Sequence, residues 1–260
     1  MPEGDTIHYA ANRIRPVLAG HVPDELRTPH PRFTGARWEE KLAGRAVESV
    51  DAHGKHLFLR FEGGLTIHSH LRMTGSWRVL SRGAPWPRSS RAAWFVARRG
   101  AREVVQFNGP VLELMTAGRA RFDQRLSQLG PDILAPEFDA ERFLRRLRDD
   151  DPTRPLGDAL LDQRTVAGIG NLWKVEGCFL AQVDPWRPAG RVSDEEALAI
   201  VGACRRRMQR SAQDGNQDRF KQIYGTAGQP CPRCGPASRI RVRGQWDENR
   251  PTFWCPRCQT

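Results

Sequence analysis

The chain has 260 residues, 39% of them hydrophobic, which suffices for the cores of one large domain or two to three small ones and excludes a disordered polypeptide. Lys and Arg total 41 against 30 Asp and Glu, a net charge of +11 with a pI near 10.2, so a polyanionic partner is expected, nucleic acid foremost. No basic-then-apolar leader opens the chain and its longest apolar run, residues 197–204, is far too short to cross a bilayer, so a cytoplasmic, chromosome-associated protein with no membrane partner is expected.

Only four of the basic residues are lysines: Lys41, Lys55, Lys174 and Lys221. Against so many arginines, each lysine is informative.

The N-terminus reads Met1-Pro2-Glu3. A methionine before a small residue is readily removed, which leaves Pro2 with a free secondary amine. Free α-amino groups titrate near ~8, so an appreciable fraction is unprotonated at neutral pH. Such an amine can attack C1′ of a sugar and form an iminium, splitting a hard displacement into easier steps. Glu3 is a carboxylate able to move protons at that centre. From Asp5, the positions Ile7, Ala10, Ala11, Ile14, Val17 and Leu18 recur at helical spacing, with Gly20 as the C-terminal cap. Pro2 therefore stands just before a helix whose packing would hold it, and whose N-terminus would add positive potential.

Residues 46–113 read as short strands: Val47–Val50, His56–Phe61, Leu65–Leu71, Ser76–Leu80, Ala93–Ala97 and Glu103–Phe107, with Gly63-Gly64 as a hairpin turn. Repeated short strands with turn signals predict a β-sandwich. The stretch 81–91, rich in Arg, Pro and Ser, reads as an exposed loop. Residues 129–136 break the strand pattern and read as a linker into a helical half. There Asp139 caps a helix carrying Phe143, Leu144 and Leu147, and Pro155–Gln163 forms another. A turn at Gly168-Ile-Gly170-Asn171 opens a third through Leu180, and Ser193-Asp-Glu-Glu196 is a capping box opening a helix over Ala197–Arg210. Arg205-Arg206-Arg207 near its end reads as a solvated face, a complement to the helix dipole, or a phosphate track. Isolated in helix-like surroundings, Cys178 and Cys204 read as buried packing residues.

Cys231-Pro-Arg-Cys234 and Cys255-Pro-Arg-Cys258 are separated by twenty residues that read as a hairpin. Two such knuckles suit one tetrahedral structural Zn²⁺ with no open coordination position. Disulfides are the alternative, disfavoured in a chain without a secretion signal.

Four separated motifs then agree: Met-Pro-Glu-Gly at the start, Gly54-Lys55-His56-Leu57, Gly168-Ile-Gly-Asn171, and a terminal four-cysteine hairpin with Arg250 before Cys255-Pro-Arg-Cys258-Gln259. In this order they resemble the formamidopyrimidine-DNA glycosylase and endonuclease VIII family of DNA repair enzymes over residues 1–259. The wording looks closest to the actinobacterial endonuclease VIII branch.

The resemblance implies an α+β multidomain fold: an N-terminal helix and catalytic β-sandwich (1–128), a helix-two-turn-helix DNA-binding domain (129–222) and a zinc hairpin (223–260), with DNA in the cleft between the halves. It implies a monomeric bifunctional glycosylase and AP lyase acting on double-stranded DNA that carries an oxidised base or an abasic site. Pro2 would be the nucleophile, Glu3 the acid that protonates the opening deoxyribose, and Lys55 a contact to the phosphate beside the lesion. Asn171 would hold a phosphate, or serve as a helix N-cap. Arg250 would clamp a phosphate near the target, where the alternative is an ordinary surface arginine. Met73 matches a position whose side chain fills the gap left by a flipped nucleotide, the alternative being a buried core methionine. Lys221 and Tyr224-Gly225 match a stretch near the bound strand. Glu176 matches an acidic position read as structural. Zn²⁺, one per chain, would be held by Cys231, Cys234, Cys255 and Cys258.

Two departures stand out. Thr6 occupies a position where many relatives carry a second glutamate, and Val105-Gln-Phe-Asn-Gly-Pro110 lacks the Arg-Arg-Phe with which the formamidopyrimidine branch probes the opposite base. Rival readings are a noncatalytic damaged-DNA binding protein, a glycosylase preferring 8-oxoguanine and formamidopyrimidine, and a zinc-ribbon transcription factor. A binding module has no use for Pro2, Glu3 and Lys55 together, and a zinc ribbon leaves the N-terminal motif unexplained.

Overall fold

The computed structural model describes residues 2–245 and 249–260. They form two compact units, one of Pro2 and Thr6–Ser127, the other of Glu3–Asp5 and Gln128–Thr260.

The first unit contains most of helix α1 (Gly4–Leu18), then β1 (Glu25–Arg27), α2 (Trp38–Leu42), β2 (Val47–His53), β3 (His56–Phe61), β4 (Leu65–His70), β5 (Ser76–Ser81), β6 (Ala93–Arg99), β7 (Arg102–Phe107), β8 (Val111–Thr116) and the short helices α3 (Ala117–Phe122) and α4 (Gln124–Ser127). Two four-stranded antiparallel sheets, ordered β1-β6-β7-β5 and β2-β3-β4-β8, make the expected sandwich. One core joins them. Ile7, Ala11, Ile14 and Leu18 of α1 pack with Val50, Leu57 and Ile67 of one sheet and Phe95 and Val104 of the other. The two glycines of the β3–β4 hairpin, Gly63 and Gly64, both have positive φ, +77° and +73°, which side chains with a Cβ resist.

Strands β1 and β8 have no clear signal in the sequence. β1 is three residues, Glu-Leu-Arg, without an apolar pattern, and exists through its pairing with β6. β8 shows no strict alternation of burial, because tertiary pairing with β4 overrides its weak local signal.

The second unit carries α5 (Ala140–Arg148), α6 (Leu156–Leu161), α7 (Asn171–Ala181), α8 (Asp194–Asp214) and four short strands, β9 (Pro230–Cys231), β10 (Gly235–Arg239), β11 (Arg241–Gln245) and β12 (Arg250–Trp254). Two helix starts follow their sequence signals. Asp139 accepts from the Arg142 N–H at 2.9 Å, and Ser193 and Glu196 close a reciprocal capping box. Helix α7 is central: every residue from Asn171 to Phe179 is buried. The first residues of the stretch that reads as the linker, 129–133, are not loose chain. They are buried, and their backbone bonds to the 163–167 segment, with Gly130 N to Gln163 O at 2.8 Å and Ile133 N to Ala167 O at 3.0 Å. Leu129 and Ile133 have too much apolar surface to stay in solvent. Within the arginine triplet, Arg205 donates to the Ile133 and Pro136 carbonyls, so it anchors this segment.

The C-terminal strands share a small core with α7 and the following loop, made of Val175, Phe179, Ile223, Cys231, Ile240, Phe253 and Cys255. Cys178 and Cys204 are fully buried as expected, and burial raises both thiols, Cys178 to about 12. No helix among the described residues is long and apolar enough to cross a membrane.

Candidate active site and nucleic-acid interface

Pro2 is half-buried and covalently precedes a carboxylate that is almost wholly enclosed. Glu3 is 1% exposed; its Oε1 accepts from the Leu172 N–H at 2.9 Å and its Oε2 from the Trp173 N–H at 3.4 Å. These are first-turn amides of α7, which lack partners within the helix, so they and the helix dipole compensate the buried charge. The helix whose free amides bond the Glu3 carboxylate is thus α7, far along the chain. Gly170 makes the approach possible, since a Cβ there would lie 2.3 Å from Glu3 Cδ. The neighbouring Gly168 carbonyl accepts from the Gly4 N–H at 2.9 Å. In this structure the glycine turn thus receives the chain's own N-terminal segment.

Asp5, which has no role in the sequence reading, completes the anchor. It is fully buried, and its Oδ1 accepts from Trp173 Nε1 at 3.0 Å while its Oδ2 accepts from the Ser211 hydroxyl. An aspartate in the first turn of a helix reads locally as a dipole partner, which hides this tertiary use.

Asn171 is the first residue of α7, whereas the N-cap is Gly170, so the N-cap alternative for the asparagine does not hold. Its Nδ2 donates to the Pro251 carbonyl at 2.9 Å, and its buried Oδ1 has no partner among the described residues. Arg250 is half-buried at the start of β12, paired in register with Gln245 of β11. Lys221 forms an ion pair with Asp218, and its ammonium lies 5.7 Å from the Tyr224 ring centroid. Glu176 organises the segment just beyond: its Oε1 accepts from the Gln222, Ile223 and Tyr224 N–H groups at 2.9, 3.0 and 2.9 Å. Burial nonetheless raises its pKa.

In the first unit, Lys55 lies in the β2–β3 turn, one residue before His56, which pairs with His70 at the end of β4. The register places Lys55, the Arg72–Met73 turn and the 108–110 loop preceding β8 at one end of that sheet. Met73 is 64% exposed, which excludes the buried-core alternative. Sequence reasoning does not find the histidines there. Burial, with Arg72 and Lys55 nearby, pulls His70 down to about 4, so it is neutral at physiological pH. Behind it His56 Nδ1 and His68 Nε2 are 2.8 Å apart, and His68 Nδ1 is 3.5 Å from Glu113 Oε2. Alternate strand positions can point to the same face, but only cross-strand register reveals that His56, His68 and His70 meet.

The sulfurs of Cys231, Cys234, Cys255 and Cys258 all lie within 4.8 Å of one another, with Cys231 to Cys258 at 3.9 Å and Cys234 to Cys255 at 3.8 Å. None forms a disulfide. A tetrahedron of thiolates with metal–sulfur bonds of ~2.3 Å has edges of about 3.8 Å. The four cysteines can therefore hold a metal ion.

Comparison with known proteins agrees in extent and order. Residues 1–111 match the formamidopyrimidine-DNA glycosylase N-terminal domain and residues 129–221 the formamidopyrimidine-DNA glycosylase H2TH domain. The probable endonuclease 8 2 of Streptomyces coelicolor is 42% identical over 269 residues, covering 100% of this chain and 94% of the relative. Endonuclease 8 2 of Mycobacterium tuberculosis is 36% identical over 266 residues, covering 100% of both. Formamidopyrimidine-DNA glycosylase of Thermus thermophilus is 32% identical over 282 residues, covering 100% of this chain and 98% of the relative. Among solved structures, the Lactococcus lactis Fpg in complex with DNA containing an abasic site superposes with a TM-score of 0.82 at 21% identity, covering 99% of each chain, a likeness of fold. The chain belongs to the formamidopyrimidine-DNA glycosylase and endonuclease VIII family, and its relatives include the actinobacterial endonuclease 8 proteins.

Proposed function

We propose that this protein is a base-excision-repair DNA glycosylase with AP lyase activity, using Pro2 as nucleophile. The observation that carries the reading is the Glu3 carboxylate, buried on the α7 amides and one peptide bond from Pro2. Burying a carboxylate is costly without compensation, and a purely DNA-binding protein gains nothing from placing one beside its N-terminal amine. The unprotonated Pro2 nitrogen attacks C1′ and the glycosidic bond breaks with its electron pair leaving on the base; the Glu3 carboxylate takes the proton that the bonded Pro2 nitrogen sheds and delivers it to O4′ as the ring opens to an iminium. Loss of the C2′ proton expels the 3′ phosphate, and a second elimination expels the 5′ phosphate. Hydrolysis of the remaining iminium frees Pro2.

Lys55, Asn171, Lys221 and Arg250 supply cationic or amide contacts to the strand, and Met73 enters the gap left by the flipped nucleotide. Its exposure at the β4–β5 turn suits that task. With +11 net charge, affinity falls steeply with salt. Residues 1–128, 129–222 and 223–260 divide the work between chemistry, strand binding and the clamp. One Zn²⁺ on the four cysteines would hold the terminal strands together and take no part in the reaction. The protein works as a monomer in the cytoplasm, on the nucleoid. Borohydride trapping on a panel of lesion-bearing duplexes tests the reading: adducts with oxidised bases and abasic DNA support it, and binding without adduct makes the protein a noncatalytic damage sensor.

Two further outcomes follow from the site. Arg250→Ala should slow removal of an intact lesion more than cleavage of a preformed abasic site, because an abasic site has little left to unstack. Equal losses in single-turnover assays would reduce Arg250 to general phosphate affinity. Thymine glycol and dihydrouracil should be excised faster than 8-oxoguanine opposite cytosine. The 105–110 segment lacks an Arg-Arg-Phe probe, and the 217–228 stretch is short where the other branch covers a flipped purine with a longer loop. Faster excision of 8-oxoguanine on matched duplexes would assign the protein the other preference.

A further inference from the structure

Lys174 is fully buried in the first turn of α7, and its ammonium donates to Gln245 Oε1 at 2.9 Å and to Thr252 Oγ1. Those acceptors lie on the two opposite strands of the terminal hairpin, and both are within two residues of the Gln245–Arg250 register pair. In the same turn, Asn171 grips the Pro251 carbonyl. The side chains of one helical turn therefore hold β12 at residues 251 and 252, immediately after Arg250, while the backbone amides of that turn hold Glu3.

Gln245 is locked from several sides. Its Oε1 also accepts from the Thr252 hydroxyl at 2.8 Å, its Nε2 donates to the Pro185 carbonyl at 3.0 Å, and a Cβ on Gly157 would fall 2.6 Å from its amide. A buried ammonium held by the neutral acceptors of Gln245 and Thr252 is an expensive way to fill space. Burial pulls its pKa down to about 8, with Arg250 acting in the same direction and Asp158 and Glu3 against it. A compact ammonium on a four-carbon stem can reach both strands. The five-donor fork of arginine would leave hydrogens unpaired at this enclosed site. In a chain with only four lysines, the choice is specific.

We propose that Lys174 is a positioning residue, which by gripping Gln245 and Thr252 sets where Arg250 meets the DNA. The inference rests on the reading of Arg250 as a phosphate clamp. Replacing Lys174 with methionine keeps the stem volume and leaves the Thr252–Gln245 hydrogen bond in place, so no hairpin acceptor on Gln245 is orphaned. The hydrogen-bond partners of Lys174 are the neutral Gln245 and Thr252, so its removal strands no opposite charge on them and relieves the cost of burying the ammonium. Folding and zinc content should therefore survive while positioning is lost.

The test compares Lys174→Met, Lys174→Arg and Arg250→Ala in single-turnover excision of thymine glycol and in cleavage of a preformed abasic site. Lys174→Met should slow excision roughly tenfold, the scale of one lost charge-assisted hydrogen bond, and abasic cleavage much less. Lys174→Arg should not rescue it, and adding Lys174→Met to Arg250→Ala should cost nothing further, because the two act through one contact. Equal losses on both substrates, or independent losses in the double variant, would overturn the inference. If Lys174→Met loses zinc or unfolds, Thr252→Val, which removes one acceptor of the ammonium together with the Thr252–Gln245 hydrogen bond and leaves Lys174 on Gln245 alone, takes its place in the same comparison, and the same losses support or overturn the inference. Absence of any adduct with wild-type protein instead refutes the proposed chemistry, and an Arg250→Ala variant without substrate preference removes the clamp and this inference with it.

Discussion

Protein that retains any residue ahead of Pro2 is expected to give no borohydride-trapped adduct with abasic DNA, and to lose strand cleavage by at least about three orders of magnitude, the scale on which loss of a covalent nucleophile acts in other enzymes. An amide at Pro2 has no basic lone pair to attack C1′, so the iminium cannot form. Glu3 would still sit on the α7 amides, but an acid without its nucleophile does not replace the covalent route. Pro2→Gly retains a primary amine and should keep weak trapping. DNA binding by the blocked protein should persist with its salt dependence, since it comes from arginines on phosphates. Intact-mass analysis of the active protein should lack Met1. Full cleavage by a protein with a verified N-terminal extension would sink the mechanism.

Removal of zinc should have the second largest effect. Fresh protein should carry one zinc per chain, and chelation or a Cys→Ser change at Cys231, Cys234, Cys255 or Cys258 should unfold the terminal strands. The core there is seven buried residues, two of them the candidate ligands Cys231 and Cys255, and it leans on Val175 and Phe179 of α7. So small a cluster cannot offset the chain entropy of ordering residues 223–260, whereas a structural zinc site contributes on the order of 10 kcal/mol. Loss of the metal should therefore free β12 and expose Val175 and Phe179. Lesion excision should fall by at least the Arg250→Ala loss, because Arg250 leaves with its strand. Elemental analysis showing no zinc in freshly purified, active protein would refute the assignment.

Periodicity and spacing by themselves determined six of the sandwich strands, β2 to β7, the helix starts at Asp139 and Ser193, and the pairing of two Cys-Pro-Arg-Cys knuckles. Each of these signals is local: alternation at period two, a cap three residues before a backbone N–H, or two thiols on one tight turn. The same local character explains what the sequence does not show. Strand β1 has no pattern of its own, the 129–133 segment reads as a breaker though it packs inside, and the helix dipole serving Glu3 belongs to an element that begins only at Asn171. Tertiary structure alone brought Glu3 and Asp5 onto α7, gathered His56, His68 and His70 at one sheet end, and turned Lys174 inward to the hairpin. A lysine in a helix and a glutamate before one look like solvated charges in any short window. What makes them otherwise is the burial and the long-range hydrogen bonds that the fold imposes, and these depend on partners that no local window contains.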